Sequence, residues 1–369
     1  MTMRVLHVYR TYFPDTQGGL EEVIRQICIH TRPRGVESRI LTLSPDPAPN
    51  VVYYPEAEVH RFKLTTEIAS CSVSLSAVRG FVRLSNWADV IHYHFPWPFA
   101  DILHLIGRPH KPAIVTYHSD IIRQRSLLVL YRPLLRYFLG GVDRIVATSP
   151  NYANSSKVLR GYREKLSIIP LGLSAASSFI SPPRQSIERM RLRYGSDFFL
   201  FVGVLRYYKG IHILLEAVRD SCIPVLIAGD GPMRDTWEQQ AAGLTNVHFL
   251  GRITDQEKAV LMRLCRAVVF PSHLRSEAFG VTLLEGAMHG KPLISTEIGT
   301  GTSFVNKHGE TGFTVPGSDA QALLEAMSQL HNDPELAEGM GRAAKQRYQQ
   351  LFTGEQMGRS YAELYSEFS

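Results

Sequence analysis

Short apolar runs alternate with longer stretches of helical periodicity along the first half of the chain. The runs are residues 4–9 and the segments SRILTL, ADVIHYH, AIVTYHS and DRIVATS, all rich in β-branched residues. Buried runs separated by helical segments are typical of a parallel sheet that is covered on both faces. The pattern therefore predicts one doubly wound α/β domain.

The pattern is then interrupted and starts again. Residues 165–183 read KLSIIPLGLSAASSFISPP, where prolines, glycine and serines break the periodicity as in a linker. Beyond it come FFLFVGV, PVLIAGD, NVHFLGR, AVVFPS and PLIST, with helical segments between them. We predict a Rossmann-like domain over residues 1–172, a second over 173–350, and a helix over 351–369 that packs back toward the first domain. Since open α/β sheets bind ligands at the carboxyl ends of their strands, a cleft between the domains is the expected site.

The composition argues against a disulfide-rich, zinc-binding or membrane-spanning protein. The chain has 369 residues, 44% of them apolar, and its four cysteines are scattered without the CxxC pairs of a zinc site or disulfide framework. The N-terminus turns polar within a few residues, so we expect neither a signal peptide nor a membrane-spanning helix. A reducing cytoplasm fits this composition best.

Positive charge is concentrated between residues 123 and 165, where nine lysines and arginines face two acids. The segment SLLVLYRPLLRYFLGG alternates leucines with Arg132 and Arg136, a pattern suited to an anionic membrane surface. A core helix with two exposed arginines is the alternative. Although the net charge is +6, no nucleic-acid-binding motif accompanies it, so we expect no nucleic-acid partner.

The strongest chemical signal is the segment SEAFGVTLLEGAMHGKPLIS. Glu277 lies in a loop after a predicted strand, and Glu285 lies eight positions later in the next helix. Phe279, Gly280 and Val281 are expected to present backbone N–H groups at the start of that helix, where a diphosphate can bind. A solvated helix face is the alternative interpretation.

At these residues the chain resembles the family 4 retaining glycosyltransferases, which share the E-x7-E motif and the F-G-x-x-x-x-E-G-A-M-x-G-x-P pattern. The similarity extends over nearly the whole chain. It implies a GT-B fold, with two Rossmann-like domains facing a central cleft. It also implies that Glu277 contacts the transferred sugar, and Glu285 the ribose, of a nucleotide-sugar donor.

The resemblance further implies a same-face substitution in which the leaving diphosphate helps to deprotonate the acceptor hydroxyl. No carboxylate is evident as a nucleophile for a double displacement. The sequence has no D-x-D pair to hold a divalent cation, no phosphate-binding P-loop motif and no G-x-G-x-x-G after the first strand. These absences weaken kinase and dehydrogenase interpretations.

Two cations precede a helix in the segment FVGVLRYYKG. Lys209 matches the lysine of the family's G-R-L-x-x-x-K-G pattern, but Val204 stands at its arginine position, and we assign that role to Arg206. Residues two apart at a strand end face the same side, which makes the exchange sterically reasonable. Both cations are expected to bind the donor phosphates, with plain surface charges as the alternative.

Three glycine-containing loops complete the expected donor site. Gly18 and Gly19 resemble the family's glycine loop, which approaches the donor phosphate. Gly231, Arg252 and Ile253 lie in loops that line the nucleotide in the family. Ordinary turn glycines and a structural arginine are the alternatives.

His118 follows a predicted strand, where the family has a histidine that faces the sugar, so His118 and Glu277 are the catalytic candidates. An imidazole there can stabilise positive charge in the transition state. His92 and His94 share a strand face and, with His118, imitate a three-histidine metal site. A structural role is favoured for His92 and His94, and we expect no metal or other cofactor.

The donor and the acceptor are left open by the sequence. Likeness of VLHVYRTYFPDTQGGLEEVI and DVIHYHFPWPFAD to bacterial polysaccharide mannosyltransferases favours GDP-mannose, with a UDP-sugar as the alternative. The expected acceptor is a saccharide or a lipid-linked molecule at the inner face of the plasma membrane. A sugar-nucleotide epimerase and a non-catalytic nucleotide-sugar-binding protein are the competing classes, and the intact candidate residues disfavour both.

Overall fold

A computed structural model describes residues 2–68, 71–121, 125–174 and 182–368, with the backbone alone for 125–128. The chain divides into two compact units, Met1–Gly172 with Gly354–Ser369, and Leu173–Thr353. Each unit contains a mainly parallel sheet with helices connecting its strands. The predicted fold class of two parallel α/β domains is therefore confirmed.

The described strands of the first unit form one large sheet in the order β10-β9-β8-β7-β1-β2-β4-β3, with β5 and β6 as a separate pair. The strands are β1 (Met3–Val8), β2 (Val36–Ser44), β3 (Val51–Tyr53), β4 (Glu58–Lys63), β5 (Thr66–Ile68), β6 (Cys71–Val73), β7 (Val90–Phe95), β8 (Ala113–Tyr117), β9 (Arg144–Ala147) and β10 (Leu166–Ile168). Edge strand β3 pairs antiparallel with β4, and β5 pairs antiparallel with β6, whereas the prediction had parallel strands alone. Short antiparallel strands need only a tight connection, so they fit between longer crossovers.

The helices of the first unit connect these strands and cover the sheet. They are α1 (Gly19–Thr31), α2 (Leu75–Trp87), α3 (Pro98–Gly107), α4 (Arg125–Gly141) and α5 (Pro150–Ser155). The side chains of Ser74 and Ser149 each accept a backbone N–H bond at the start of α2 and α5. Such caps satisfy amides that have no partner within the helix.

The second unit has six described strands in the order β13-β12-β11-β14-β15-β16, all parallel. They are β11 (Phe199–Val202), β12 (Val225–Ala228), β13 (Val247–Gly251), β14 (Ala267–Phe270), β15 (Leu293–Glu297) and β16 (Gly312–Pro316). The chain runs outward from β11 to β13, then returns to the other side of β11 and continues to β16. Such a sheet binds ligands where the strand order reverses, which here lies between β11 and β14.

The helices of the second unit alternate with its strands. They are α6 (Arg184–Tyr194), α7 (Ile211–Val218), α8 (Arg234–Gln240), α9 (Asp255–Leu264), α10 (Val281–Met288), α11 (Thr302–Val305), α12 (Ala320–Asn332) and α13 (Pro334–Leu351). Strands β12 and β14 are buried along their whole length, as expected for central strands covered on both faces.

A final helix, α14 (Gly354–Ser366), belongs to the first unit and packs against α1. Its two buried tyrosines reach polar groups of the sheet. The hydroxyl of Tyr365 lies 2.7 Å from Nδ1 of His92, and that of Tyr361 lies 2.8 Å from Oγ1 of Thr116. Because buried polar groups need partners, α14 completes the interior of the first unit.

Candidate active site

In the second unit, most of the predicted donor residues lie at one end of the sheet. The loop after β11 carries Arg206 and Lys209, and the loop after β12 carries Gly231. The loop after β13 carries Arg252, and the loop after β14 carries Glu277. All four loops follow the carboxyl ends of parallel strands, so they share one edge of the sheet. That edge includes the position between β11 and β14 at which the strand order reverses.

Lys209 and Glu277 form an ion pair at this edge. Nζ of Lys209 lies 2.5 Å from Oε2 of Glu277, and the two side chains are only 11% and 12% exposed. Ser272 Oγ donates to the same carboxylate oxygen at 3.3 Å, and the ammonium group lies 4.7 Å from the ring centre of Phe270. The structure thus brings together the residues predicted for the phosphates and for the sugar.

Glu285 is paired with a second lysine, Lys258 of α9, which our sequence analysis missed. Nζ of Lys258 lies 2.7 Å from Oε1 of Glu285 and 3.2 Å from Oδ1 of Asp255. Burial lowers the pKa of Lys258, but the two carboxylates outweigh burial and leave the pKa above its ordinary value. No motif marks Lys258, because its partner lies in another helix, 27 positions along the chain.

Helix α10 begins at Val281, directly after Gly280, which has a φ of +91°. A Cβ at Gly280 would lie 3.0 Å from Leu283 Cδ1 and 3.1 Å from Phe270 Cε1, so both conformation and space favour glycine. The side chain of Phe279 is buried in the core, which leaves its backbone as the part available to a ligand. The first amides of any helix lack intrahelical acceptors and can bind an anion.

The loops after β12 and β13 are tied together and to the loop after β11. A Cβ at Gly231 would lie 2.6 Å from the carbonyl oxygen of Leu205, so only glycine permits this approach. Asp230 accepts the Gly231 N–H at 2.8 Å and Arg252 Nε at 3.1 Å, and these bonds lower the pKa of Asp230. Arg252 is otherwise exposed and Ile253 is half-buried.

Val204 and Arg206 lie in a loop, because β11 already ends at Val202. The prediction that they share one face of a strand end is wrong in this respect. Both are nevertheless exposed, and Leu205 between them is buried. The guanidinium group of Arg206 therefore lies on the solvent side of the loop that also carries Lys209.

In the first unit, His118 lies directly after β8 and is 5% exposed. Its Nε2 lies 3.1 Å from Nδ1 of His94. Burial lowers the pKa of His118 to about 3, so the imidazole is neutral at ordinary pH. His118 can therefore act as a hydrogen-bonding group, while it does not bring a permanent positive charge.

The glycine loop precedes α1, which begins at Gly19 after an extended Gly18. A carboxylate in the first turn of this helix organises the loop. Glu21 accepts hydrogen bonds from Oγ1 of Thr11 at 2.8 Å and from Oγ1 of Thr16 at 2.9 Å. No motif predicts this role for Glu21, because its partners are isolated hydroxyl groups.

Three buried histidines, His7, His92 and His94, place one ring nitrogen each within 4.8 Å of the others. Hydrogen bonds already engage most of these nitrogens. His7 Nδ1 lies 3.1 Å from His94 Nε2, and the two nitrogens of His92 lie 2.7 Å from the hydroxyls of Tyr365 and Thr116. The group includes His7, which the sequence analysis did not consider, and its hydrogen bonding favours a structural role for His92.

Part of the basic stretch has structural partners. Arg144 pairs with Glu367 of the C-terminal segment at 2.9 Å, and Lys165 Nζ donates at 2.8 Å to the carbonyls of Gly140 and Val142. Such bonds satisfy the carbonyl groups at the end of α4. Arg123 lies outside the described residues, as does the side chain of Arg125.

The exposed face of α4 carries both apolar and basic side chains. Val129, Leu130 and Tyr137 are 60%, 79% and 58% exposed, and Arg132 and Arg136 are exposed beside them. Across the described parts of the chain, no helix is long and apolar enough to cross a membrane.

Two Glu–Lys pairs and a helix N-terminus at one sheet edge suit a ligand that carries both phosphates and hydroxyls. Two family models of glycosyltransferases match the chain. The model of glycosyltransferase family 4 matches residues 17–176, and that of the glycosyl transferases group 1 matches residues 185–347. Together they cover most of both units.

Similar proteins of known name support the same assignment. The chain is 55% identical to D-rhamnosyltransferase WbpZ of Pseudomonas aeruginosa, over 95% of this chain and 92% of that protein. It is 48% identical to O-antigen chain mannosyltransferase C of Escherichia coli, over 99% of this chain and 98% of that protein. The chain belongs to this family of glycosyltransferases, and the predicted family and enzyme class are confirmed.

Solved structures share the fold over the full length. Sucrose-phosphate synthase from Thermosynechococcus elongatus superposes with a TM-score of 0.81 at 21% identity, over 99% of this chain and 98% of that chain. Anabaena HepE in complex with UDP-glucose superposes with a TM-score of 0.79 at 20% identity, over 99% and 100%. These likenesses support the predicted GT-B architecture.

Proposed function

We propose that the chain transfers a hexose, with mannose from GDP-mannose as first candidate, to a saccharide or lipid-linked acceptor in the synthesis of a bacterial surface polysaccharide. The observation that carries this proposal is the pair of Glu–Lys ion pairs around the start of α10. The name of the E. coli relative supports mannose. The name of the P. aeruginosa relative makes D-rhamnose, which lacks the 6-hydroxyl of mannose, the second candidate.

In this proposal the second unit binds the donor. Lys209, Arg206 and the first amides of α10 hold the diphosphate, while Glu285 accepts hydrogen bonds from the ribose. Glu277 accepts hydrogen bonds from the transferred sugar, and Gly231, Arg252 and Ile253 line the nucleotide. Lys209, Arg206 and the amides of α10 take the place of a divalent metal in stabilising the charge of the diphosphate.

Transfer proceeds with retention in the proposed mechanism. The bond between the anomeric carbon and the diphosphate oxygen breaks, and the acceptor oxygen bonds to the same face of the sugar. The acceptor proton passes to the departing diphosphate oxygen. His118 hydrogen-bonds and orients the sugar as it passes through its oxocarbenium-like transition state, while Lys209 stabilises the leaving group.

The first test is calorimetric titration in EDTA with GDP-mannose, GDP-D-rhamnose, GDP, UDP-glucose and UDP. We expect guanosine-selective binding that weakens by about 10- to 100-fold in Glu285→Ala and Lys209→Ala, as for a lost charge-assisted hydrogen bond. The control is Glu310→Ala, which removes an exposed carboxylate of the same unit. Uridine-selective binding would overturn the donor but keep the fold and mechanism, and binding that requires a divalent cation would overturn metal independence.

We also propose that the first unit contacts the anionic inner face of the plasma membrane through α4, within the basic stretch 123–165. The exposed Val129, Leu130 and Tyr137 supply apolar area, and Arg132 and Arg136 attract anionic headgroups. Contact there would give the enzyme access to a lipid-linked acceptor from the cytoplasmic side.

This membrane contact predicts co-flotation with vesicles that contain phosphatidylglycerol. Binding should fall at high salt, because screening weakens each arginine contact. The double variant Leu130→Ser with Arg136→Gln should lose most of the binding, whereas Tyr53→Ser, at a 77% exposed position on β3, should retain it. Equal flotation of the two variants would contradict the assignment to α4.

A further inference from the structure

His7 on β1, His94 on β7 and His118 directly after β8 form a row of hydrogen-bonded histidines. Nδ1 of His7 lies 3.1 Å from Nε2 of His94, and Nδ1 of His94 lies 3.1 Å from Nε2 of His118. The ring centroids are 5.4 Å apart at both steps, and the planes differ by 22° and 18°. Strands β1, β7 and β8 are adjacent in the sheet, so regular strand spacing sets the spacing of the rings.

We propose that His94 and His7 are positioning residues that fix the tautomer of His118, so that its Nδ1 presents an N–H group to the reacting sugar. This inference rests on the proposed function, in which His118 contacts that sugar. The inference specifies that His118 donates the hydrogen bond to the sugar, and that His94 and His7 determine this direction.

Each of the three imidazole rings is neutral and has a proton on one of its two nitrogens. Burial lowers the pKa of His7 and His118 to about 3, and burial with the neighbouring histidines lowers the pKa of His94 well below 6.5. A neutral imidazole has one donor and one acceptor nitrogen. Two consecutive bonds between neutral rings therefore allow just two arrangements, in which all the donors point one way or all point the other.

The surroundings of His7, at the opposite end of this row of histidines from His118, select one of the two arrangements. Nε2 of His7 is buried and has no hydrogen-bond partner among the described residues. One arrangement places an N–H there, and a buried donor without an acceptor is rare in folded proteins. The other leaves a lone pair on His7 Nε2, so that His7 donates to His94 and His94 donates to His118.

The favoured arrangement puts the proton of His118 on Nδ1. Since Nε2 of His118 is occupied by His94, Nδ1 is the ring nitrogen left for a ligand. An N–H at this position donates to a sugar oxygen, and the opposite tautomer could only accept from a hydroxyl. Loss of His94 or His7 removes this constraint on the tautomer of His118.

The test is ¹⁵N nuclear magnetic resonance of histidine-labelled protein without ligand, which reports the protonated nitrogen of each ring independently of catalysis. We expect His118 to carry its proton on Nδ1, and to become a mixture of tautomers in His94→Phe and in His7→Leu. His92→Phe is the matched control, because its ring lies 4.3 Å from that of His94 but does not bond to His118.

Kinetics provides the second measurement. His94→Phe should lower kcat by about 10- to 100-fold and change KM by less than about threefold, while His94→Gln should recover most of the loss, since its amide can donate and accept in the same direction. A wild-type His118 protonated on Nε2, or a tautomer unchanged in both variants, would overturn the inference even if the donor titration succeeds. Failure of the donor titration alone would overturn the proposed function and leave the tautomer assignment standing.

Discussion

Replacing Glu277 with glutamine lowers kcat/KM by about 100- to 1,000-fold, the range seen when a preorganised group is removed from a transition-state site. Glutamine has nearly the same shape but no charge, so it binds sugar hydroxyls more weakly. It also leaves Lys209, which is 11% exposed, without its carboxylate partner. Initial rates with the donor and acceptor identified by the binding tests measure the effect. We expect most of it in kcat, because Glu277 is proposed to contact the sugar that changes in the transition state.

The matched control for Glu277→Gln is Glu310→Gln. Glu310 also lies 2.5 Å from a lysine, Lys307, but the two side chains are 48% and 59% exposed. An exposed pair contributes little to stability and has no proposed contact with substrate, so activity should stay within about twofold of wild type. Retention of more than about a third of the activity in Glu277→Gln would remove this carboxylate from the mechanism.

Acid should destabilise the first unit steeply below pH 6.5. Burial lowers the pKa of His7 and His118 to about 3, and the pKa values of His92 and His94 fall well below 6.5 for the same reason. Between these values and 6.5 the unfolded chain binds more protons than the folded chain. The free energy of unfolding therefore falls as pH falls, by up to about 1.4 kcal/mol per pH unit for each histidine. Well above pH 6.5, where the unfolded chain also no longer binds these protons, the four histidines add no pH dependence.

Urea unfolding at several pH values from about 7.5 to about 5 measures this slope. A Trp237→Phe background leaves Trp87 and Trp97 to report on the first unit by fluorescence. In that background, His7→Phe should reduce the number of protons bound on unfolding by one, and the slope should fall accordingly. Replacement of the exposed His248 by glutamine should leave the slope unchanged. A free energy of unfolding that stays flat down to about pH 5 would show that these histidines are not buried as neutral groups.

The fold was predictable wherever hydrophobic pattern alone decides local structure. Runs such as FFLFVGV and AVVFPS are continuous apolar segments, and they form β11 and β14 in the interior of the second sheet. The short strands β3, β5 and β6 were missed, because three residues are too few to show a periodicity. Their positions depend on pairing with neighbours, and pairing is a property of the folded chain.

The candidate site was predictable where its residues share one stretch of sequence. Glu277, Gly280 and Glu285 lie within nine consecutive positions, so their spacing alone marks a loop that leads into a helix. Lys258 and His7 were missed, since each reaches its partner from a distant element of the same unit. Arg206 was assigned from a strand geometry that the loop does not have, and its role stays a prediction.

The return of α14 to the first unit has a consequence for the order of folding during synthesis. The ribosome synthesises the whole second unit before the residues of α14. Until then the first unit is incomplete, because His92 and Thr116 lack their hydrogen bonds to the hydroxyls of Tyr365 and Tyr361. The second unit is continuous in sequence and can fold as soon as it emerges. The nascent first unit therefore remains the part that chaperones and proteases can recognise until α14 has emerged from the ribosome.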